Sequence, residues 1–285
     1  MLSLFKETKI AYFISTFSGM VLGLTLVTVF SSPAPAPMFI LEEFFFSLLF
    51  FLSFFLWSLA SGLFLNRIAS KKVLKLNKLR NNCDLEHYTT AYEAFAKKTS
   101  AKVFPLGKTT KTFIWLGLST AYLTSGNNPA AFEALSAIKY FPKRRCKSIY
   151  ELNYYNNFFV YHLQVNNIPA AIQSLTQMEQ ILQHGKLREP IRAQCAVIYV
   201  EKQCMLRMAK GNYDGCEAVF EQAFQRNENT LANVGAKYTL GKIYLHENRL
   251  REAKQAFEYV VTHGGSSRYP KEAAALLETL EQALH

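Results

Sequence analysis

The hydrophobic positions of this chain follow two different patterns. Residues 10–30 and 44–65 are continuous apolar stretches of 21 and 22 residues without a charged side chain. Downstream of them, apolar residues recur every three or four positions and alternate with polar ones. The first pattern is typical of membrane-spanning helices and the second of amphipathic helices that pack on one another. The sequence therefore predicts an all-α protein with a membrane part and a helical domain.

Residues 237–262 show the amphipathic pattern most clearly. Gly241 and Tyr244 lie on one face of a predicted helix, and Ala253 and Phe257 lie on one face of the next. Small residues allow two helices to approach closely, and large ones fill the space between them. We therefore expect two helices packed back to back, with the small residues at the closest approach.

The order of small and aromatic residues in this stretch resembles the tetratricopeptide (TPR) repeat, a helix pair that stacks into an α-solenoid. The same offsets recur upstream, and Gly126, Gly211 and Asn248 stand where turns between paired helices are expected. Equivalent positions are Tyr88, Ala131, Ala171, Cys216 and Ala253, at intervals of 43, 40, 45 and 37 residues. These intervals exceed the usual ~34 residues, so another kind of helical-hairpin solenoid is the alternative. The resemblance covers residues 70–265 and implies a fold more than a function.

The end of the chain has the features of a capping helix. Residues 270–285 begin with a proline, which suits a first helical turn, and carry an Ala/Leu face opposite charged residues. Such a helix would cover the last repeat. The predicted domains are a two-span transmembrane hairpin over residues 1–66, a basic helix beside the membrane over 67–82, and a TPR-like domain with its capping helix over 83–285.

The distribution of basic residues predicts the orientation in the membrane. The linker between the two spans contains three prolines and no basic residue. Six basic residues follow the second span with no acidic residue among them: Arg67, Lys71, Lys72, Lys75, Lys78 and Arg80. By the positive-inside rule this side is cytoplasmic, so we expect a two-span cell-membrane protein with both termini in the cytoplasm. We also expect these six side chains to contact anionic lipid headgroups.

Two alternatives concern the membrane part. A cleaved signal peptide is the alternative for the first span, although its apolar run exceeds the usual ~7–15 residues. Within this span Ser15, Gly19 and Gly23 recur every four residues, a spacing that lets another helix approach closely. We expect this stripe to pack the two spans into a hairpin. Homodimerisation, or contact with a membrane helix of a partner, is the alternative use.

The net charge of +11 is concentrated next to the predicted membrane. Residues 1–65 carry a charge of −1, residues 66–150 carry +12, and residues 151–285 are neutral, as the basic and acidic residues of each part show. A basic protein is a candidate for nucleic-acid binding. We expect lipid contact instead, because the excess lies where the topology requires it and no nucleic-acid-binding motif accompanies it.

The sequence contains no convincing catalytic or metal-binding motif. Residues 105–112 resemble the end of a phosphate-binding loop, but Lys102 stands where the first glycine is needed. The five cysteines form no Cys-x-x-Cys pair, and the six histidines show no metal-ligand spacing. We therefore predict that the protein is not an enzyme and that it needs no cofactor or metal.

In TPR arrays the first helix of each repeat lines a concave groove, and the resemblance carries this role to specific positions. They are Phe113, Leu116, Thr120, Leu123, Asn153, Asn156, Val160, Leu163, Ile198, Glu201, Met205, Met208, Tyr238, Lys242 and Leu245. The predicted groove is largely apolar and lacks the Lys/Asn clamp by which some TPR domains hold a C-terminal carboxylate. An extended or helical segment with apolar anchors is therefore the expected ligand. Asn153, Asn156 and Asn157 are candidates for hydrogen bonds to its backbone, or for local capping.

Together these features predict a bacterial-type inner-membrane scaffold or adaptor that binds a protein or peptide partner on the cytoplasmic side. The alternative is a structural or regulatory subunit of a membrane enzyme, transporter or secretion complex that contacts it through the transmembrane hairpin. A third hypothesis is a lipid-responsive regulator that acts through the basic segment. The sequence identifies neither the partner nor the oligomeric state.

Overall fold

The computed structural model divides the chain into two compact units at residue 75, and the second unit is Leu76–His285. The described residues are 52, 53, 56, 76, 78–100, 108–141, 147–226 and 229–284. They are all-α, without a β-strand. None of the helices described there is long and apolar enough to span a membrane. The predicted spans lie outside the described residues, apart from three helical positions, Leu52, Ser53 and Leu56.

Ten helices succeed one another in the described part of the second unit. They are α1 (Leu85–Ser100), α2 (Lys108–Ser125), α3 (Asn128–Ser136), α4 (Lys147–Gln164), α5 (Ile168–His184), α6 (Glu189–Ala209), α7 (Cys216–Arg226), α8 (Thr230–His246), α9 (Leu250–His263) and α10 (Tyr269–Leu284). Each helix packs against the next, and α2 also contacts α4, α4 contacts α6, and α8 contacts α10. The pairs α2–α3, α4–α5, α6–α7 and α8–α9 are therefore helical hairpins that stack in chain order.

The turns inside these hairpins share one backbone feature. Gly126, Asn166, Gly211 and Asn248 follow the first helix of each pair and have φ angles of 84°, 55°, 83° and 61°. Glycine and asparagine accept this left-handed conformation more readily than other residues. The sequence predicted turns at Gly126, Gly211 and Asn248, and these three are confirmed.

After two of these turns, the next helix begins in the same way. The side chains of Asn127 and Asn167 each accept a hydrogen bond of 3.2 Å from a backbone N–H three residues further on, those of Ala130 and Ala170. A proline stands two residues after each asparagine, where its missing N–H costs no helical hydrogen bond. The sequence Asn-x-Pro-Ala-Ala thus begins the second helix of both hairpins.

The core runs along the stack in successive clusters. Leu135 lies in the cluster between α2, α3 and α4, Phe159 in that between α4, α5 and α6, and Phe257 in the largest, which α6 to α10 enclose. The small residue predicted at the closest helix approach is confirmed at Gly241. A Cβ atom there would lie 2.6 Å from Cε1 of Phe257, far inside van der Waals contact.

A tyrosine–glutamate hydrogen bond joins neighbouring hairpins at two equivalent places. The Tyr122 hydroxyl of α2 donates to Glu93 Oε1 of α1 over 2.8 Å, and the Tyr244 hydroxyl of α8 donates to Glu221 Oε1 of α7 over 2.8 Å. Both bonds run from the first helix of a hairpin to the helix before it. Stacked helices are therefore joined by a recurring polar contact as well as by apolar packing.

The loop between α9 and α10 contacts the beginning of the stack. The backbone N–H of Ser266 donates to the carbonyl oxygen of Cys83 over 3.0 Å, and that of Arg268 donates to the carbonyl oxygen of Thr124 over 3.0 Å. Gly265 lies so close to Cys83 that a Cβ atom would sit 2.6 Å from the same carbonyl. The first and last hairpins therefore meet, and the stack closes on itself within this unit.

Candidate partner-binding pocket

A pocket of about 230 Å³ lies where the first helices of three hairpins meet the start of α10. We call it the central pocket. Its lining comes from α4, α6 and α8, from the turn and helix start after α4, and from Arg268, Tyr269 and Glu272 at the beginning of α10. The position of α10 follows from the loop contacts described above, because Arg268 is held against the end of α2.

The structure brings part of the predicted groove together at this pocket. Six predicted contact residues line it: Val160, Leu163, Met205, Met208, Tyr238 and Lys242. Elsewhere on the first helices, Phe113, Asn153 and Ile198 are exposed, whereas Thr120, Asn156, Glu201 and Leu245 are half-buried. The pocket thus unites residues from α4, α6 and α8, but none from α2.

Two predicted contact residues on α2 belong to the core instead. Leu116 and Leu123 are only 6% and 3% exposed. Neighbouring elements cover this helix: Gln164 Nε2 of α4 donates to the carbonyl oxygen of Leu123 over 3.2 Å, and the loop before α10 bonds to Thr124. The prediction that these two side chains line an open groove was therefore wrong, because both are buried and Leu116 packs in the core between α2, α3 and α4.

The asparagines of α4 have separate environments. Asn157 is buried, and its Nδ2 donates to Ser119 Oγ and Thr120 Oγ1 of α2, both over 2.9 Å. Asn156 donates to the Asn157 side-chain oxygen over 3.3 Å, while Asn153 is exposed. Asn157 therefore joins two hairpins.

Most of the predicted membrane and lipid contacts lie outside the described residues. This holds for Ser15, Gly19 and Gly23 in the first span, and for Arg67, Lys71, Lys72 and Lys75 in the basic segment. Lys78 is exposed. Arg80 is half-buried and hydrogen-bonds to the hydroxyl of the buried Tyr88.

Arg268 is the best-anchored cation of the central pocket. Its Nη1 lies 3.4 Å from Glu272 Oε1, and its guanidinium carbon lies 5.1 Å from the centre of the Tyr269 ring. Its Nε is buried and has no hydrogen-bond partner among the described residues. A buried donor without a partner is costly, so the position of Arg268 is held by its other contacts.

The aromatic side of the pocket is built around Tyr238. Its ring lies 5.2 Å from that of Tyr269, centre to centre. Burial, together with a hydrogen bond to Glu272, raises the pKa of the Tyr238 hydroxyl. This hydroxyl therefore stays protonated and acts as a donor to Glu272.

Two lysines bring further positive charge to the pocket. The Lys242 ammonium lies 5.9 Å from the centre of the Tyr238 ring, and the side chain is exposed. The residues around it nevertheless displace water and thereby lower the pKa of Lys242, and the positive charge of Arg268 lowers it further. The Lys202 ammonium lies 3.7 Å from the Met205 sulfur, and burial is the main cause of its lowered pKa. Neither lysine forms an ion pair with another described residue.

Four residues at or beside the central pocket were not predicted from the sequence as site residues: Lys202, Arg268, Tyr269 and Glu272. Three of them stand at the start of the predicted capping helix. A capping helix that begins beside a groove can contribute side chains to that groove, so the sequence did contain an indication of these three residues. Lys202 is different. Its place beside the pocket depends on how α6 rotates against its neighbours, and nothing in the local sequence reveals that.

The chemistry of the lining suits binding more than reaction. Aliphatic, thioether, phenol and amide groups dominate it. In the part of the chain that the structure describes, no three His, Cys, Asp or Glu side chains are grouped as metal ligands. The free thiols of Cys83 and Cys216 lie outside the lining, and burial raises the pKa of each to about 11, which makes both poor nucleophiles.

Comparison with known proteins identifies no relative of this chain. Neither a protein-family model, nor a curated protein, nor a solved structure matches this chain.

Proposed function

We propose that this chain is a membrane-anchored, TPR-like scaffold or adaptor whose central pocket binds a segment of a protein or peptide partner on the cytoplasmic side. The observation that carries the proposal is the convergence of Val160, Met205 and Tyr238, from the first helices of three successive hairpins, on one pocket. Helical-repeat proteins use surfaces assembled from several repeats to bind their partners. A site of this kind is suited to a protein segment.

The remaining parts of the proposal rest on the sequence. The repeated order of small and aromatic residues supports the TPR-like assignment. The apolar stretches at residues 10–30 and 44–65 support a two-span anchor in the cell membrane. The basic residues after the second stretch support cytoplasmic termini and contact with anionic lipid.

A tryptophan placed in the pocket provides the test. Ala209 is exposed and lines the pocket, whereas Ala193 is equally exposed on α6 but does not line it. Ala209→Trp should fill the pocket without removing an existing contact, and Ala193→Trp is the matched control. In a mild-detergent pull-down analysed by mass spectrometry, we expect a partner that co-purifies with the intact chain and with Ala193→Trp but is lost with Ala209→Trp.

A chain beginning at Lys71 separates this proposal from the subunit alternative. If the repeats carry recognition, the shortened chain should recover the same partner as the intact one. Recovery by the intact chain and by both tryptophan variants, but not by the shortened chain, would instead place the interface in the transmembrane hairpin.

A further inference from the structure

The central pocket holds more positive than negative charge. Lys242 and Arg268 line it, and the Lys202 ammonium lies 3.7 Å from the sulfur of Met205, another lining residue. Among the lining residues that the structure describes, only Glu272 carries a carboxylate. Three cations are therefore gathered around one anion.

The nearby carboxylates are already engaged. Glu272 pairs with Arg268 at 3.4 Å and accepts a hydrogen bond from Tyr238. Glu201, which precedes Lys202 on α6, pairs with Arg226 at 2.7 Å. Among the described residues, Lys202 and Lys242 therefore form no ion pair of their own.

Two lysines elsewhere in the domain do have carboxylate partners. Lys254 lies 3.5 Å from Glu281 and 3.9 Å from Glu258, and Lys147 lies 3.3 Å from Glu151. Withdrawing an ammonium from water without a counter-charge opposes folding. Loss of contact with water lowers the pKa of Lys202 and of Lys242, and the nearby carboxylates of Glu201 and Glu272 counteract this only in part. A ligand that supplies negative charge would relieve this cost.

The opposite wall of the pocket is apolar. It consists of Val160 and Leu163 from α4 and Met208 from α6. The volume of about 230 Å³ is below the range of about 300–1,000 Å³ that small-molecule sites occupy. The space therefore suits one or two side chains of a longer ligand better than a complete cofactor or metabolite.

We propose that the central pocket receives an aspartate or glutamate side chain of the bound segment, with an apolar residue of that segment against the α4 and α6 wall. Lys242 and Arg268, together with Lys202 beside Met205, supply the counter-charge, and the methionine and aliphatic side chains supply the apolar contact. The inference rests on the proposed function, because it specifies the chemistry of the segment that this pocket binds.

The test uses the full chain in mild detergent as the target for selection from a library of random peptides. Enriched peptides are then synthesised with amidated C-termini and blocked N-termini, so that only side chains carry charge. We expect an acidic residue next to an apolar one. Lys242→Gln should weaken binding about tenfold or more, as loss of a charge-assisted hydrogen bond does, whereas Lys186→Gln, at an exposed lysine outside the pocket, should leave it unchanged.

Glu272→Gln gives the opposite prediction. Removing the internal carboxylate frees Arg268 and should tighten the binding of acidic peptides. A variant that merely damaged the fold would weaken binding, so a gain of affinity is a readout that structural damage cannot imitate.

Four results would overturn the inference. If binding of the selected peptides is blocked by Ala209→Trp but the peptides carry no acidic residue, the inference is wrong and the proposed function still stands. The same holds if the peptides bind the Lys242→Gln variant with the same affinity as the original chain. Absence of any peptide sensitive to Ala209→Trp would remove both. Thermal stabilisation by inorganic phosphate that is lost in Lys242→Gln, without acidic-peptide binding, would replace it with a site for a free oxyanion.

Discussion

The hydroxyl oxygen of Ser266 accepts a hydrogen bond of 2.8 Å from the backbone N–H of Leu85, which lies 181 positions earlier in the chain. The same oxygen accepts a second bond of 3.2 Å from the N–H of Glu86 and donates to the Cys83 carbonyl over 3.1 Å. A side chain near the end of the domain thus caps its first described helix, while Asp84 caps the next N–H locally. Closure of the stack is therefore fixed by specific polar contacts.

Replacing Ser266 should weaken this closure. Ser266→Ala removes the acceptor for two N–H groups at the start of α1, and loss of such a cap costs about 1 kcal/mol. We expect a lower urea midpoint for the full chain in mild detergent, measured by circular dichroism. Ser266→Thr keeps the hydroxyl and should retain most of the stability. Equal midpoints for the alanine variant and the original chain would show that the contact contributes nothing to folding.

The two glycines of α8 should respond oppositely to alanine. A Cβ at Gly241 would lie 2.6 Å from Phe257, whereas at Gly235 the nearest atom, the Tyr269 hydroxyl oxygen, would be 3.6 Å away. In a helix, Gly→Ala gains about 0.5–1 kcal/mol, but overpacking costs about 1–3 kcal/mol. Gly235→Ala should therefore raise the free energy of unfolding and Gly241→Ala should lower it. An increase in the free energy of unfolding for both alanine variants would mean that the α8–α9 contact is looser than the structure indicates.

The buried amide of Asn157 should matter more than the exposed one of Asn153. Asn157→Ala removes the hydrogen bonds to Ser119 and Thr120 and should cost about 1–3 kcal/mol. Asn153→Ala, at an exposed position on the same helix, should change stability by less than about 0.5 kcal/mol. Urea unfolding of both variants makes the comparison. Similar losses would assign the effect to helix propensity and not to the buried bonds.

The thiols should differ in reactivity near neutral pH. Burial raises the pKa of Cys83 from 9.0 to about 11, so its thiolate fraction at pH 8 falls about 100-fold. Cys195 is only half-buried, and we expect iodoacetamide to label it before Cys83. Mass spectrometry of the labelled chain gives the order. Urea should remove the difference, because the unfolded thiols are equivalent.

The same shift predicts how stability changes at alkaline pH. Cys83 and Cys216 ionise near pH 9.0 in the unfolded chain but near pH 11 in the folded one. Above pH 9 the unfolded state loses these protons first, which favours unfolding. The free energy of unfolding should therefore fall as the pH rises from about 9 to about 11. A double Cys→Ser variant should show a smaller decline, and an unchanged slope would exclude these thiols as its cause.

The sequence alone determined the elements of this domain. Amphipathic periodicity placed the helix pairs, and the residues Gly126, Gly211 and Asn248 marked turns because few residues tolerate a positive φ. The small residue Gly241 marked a close helix approach for an equally local reason. Six of the predicted contact residues do line one pocket, because residues spaced along a first helix share a face whatever the helix packs against.

Only the tertiary structure decided which of those faces stay open. Leu116 and Leu123 lie on the first helix of a hairpin, as Val160 and Leu163 do, yet they are buried, and Leu116 packs between α2, α3 and α4. The loop carrying Ser266 returns to the first hairpin. That return also brings Arg268 and Glu272 to the pocket beside Lys242. Contacts between residues so far apart in the chain depend on the summed rotation from hairpin to hairpin. That rotation arises from side-chain packing along the whole stack, and no single stretch of sequence contains it.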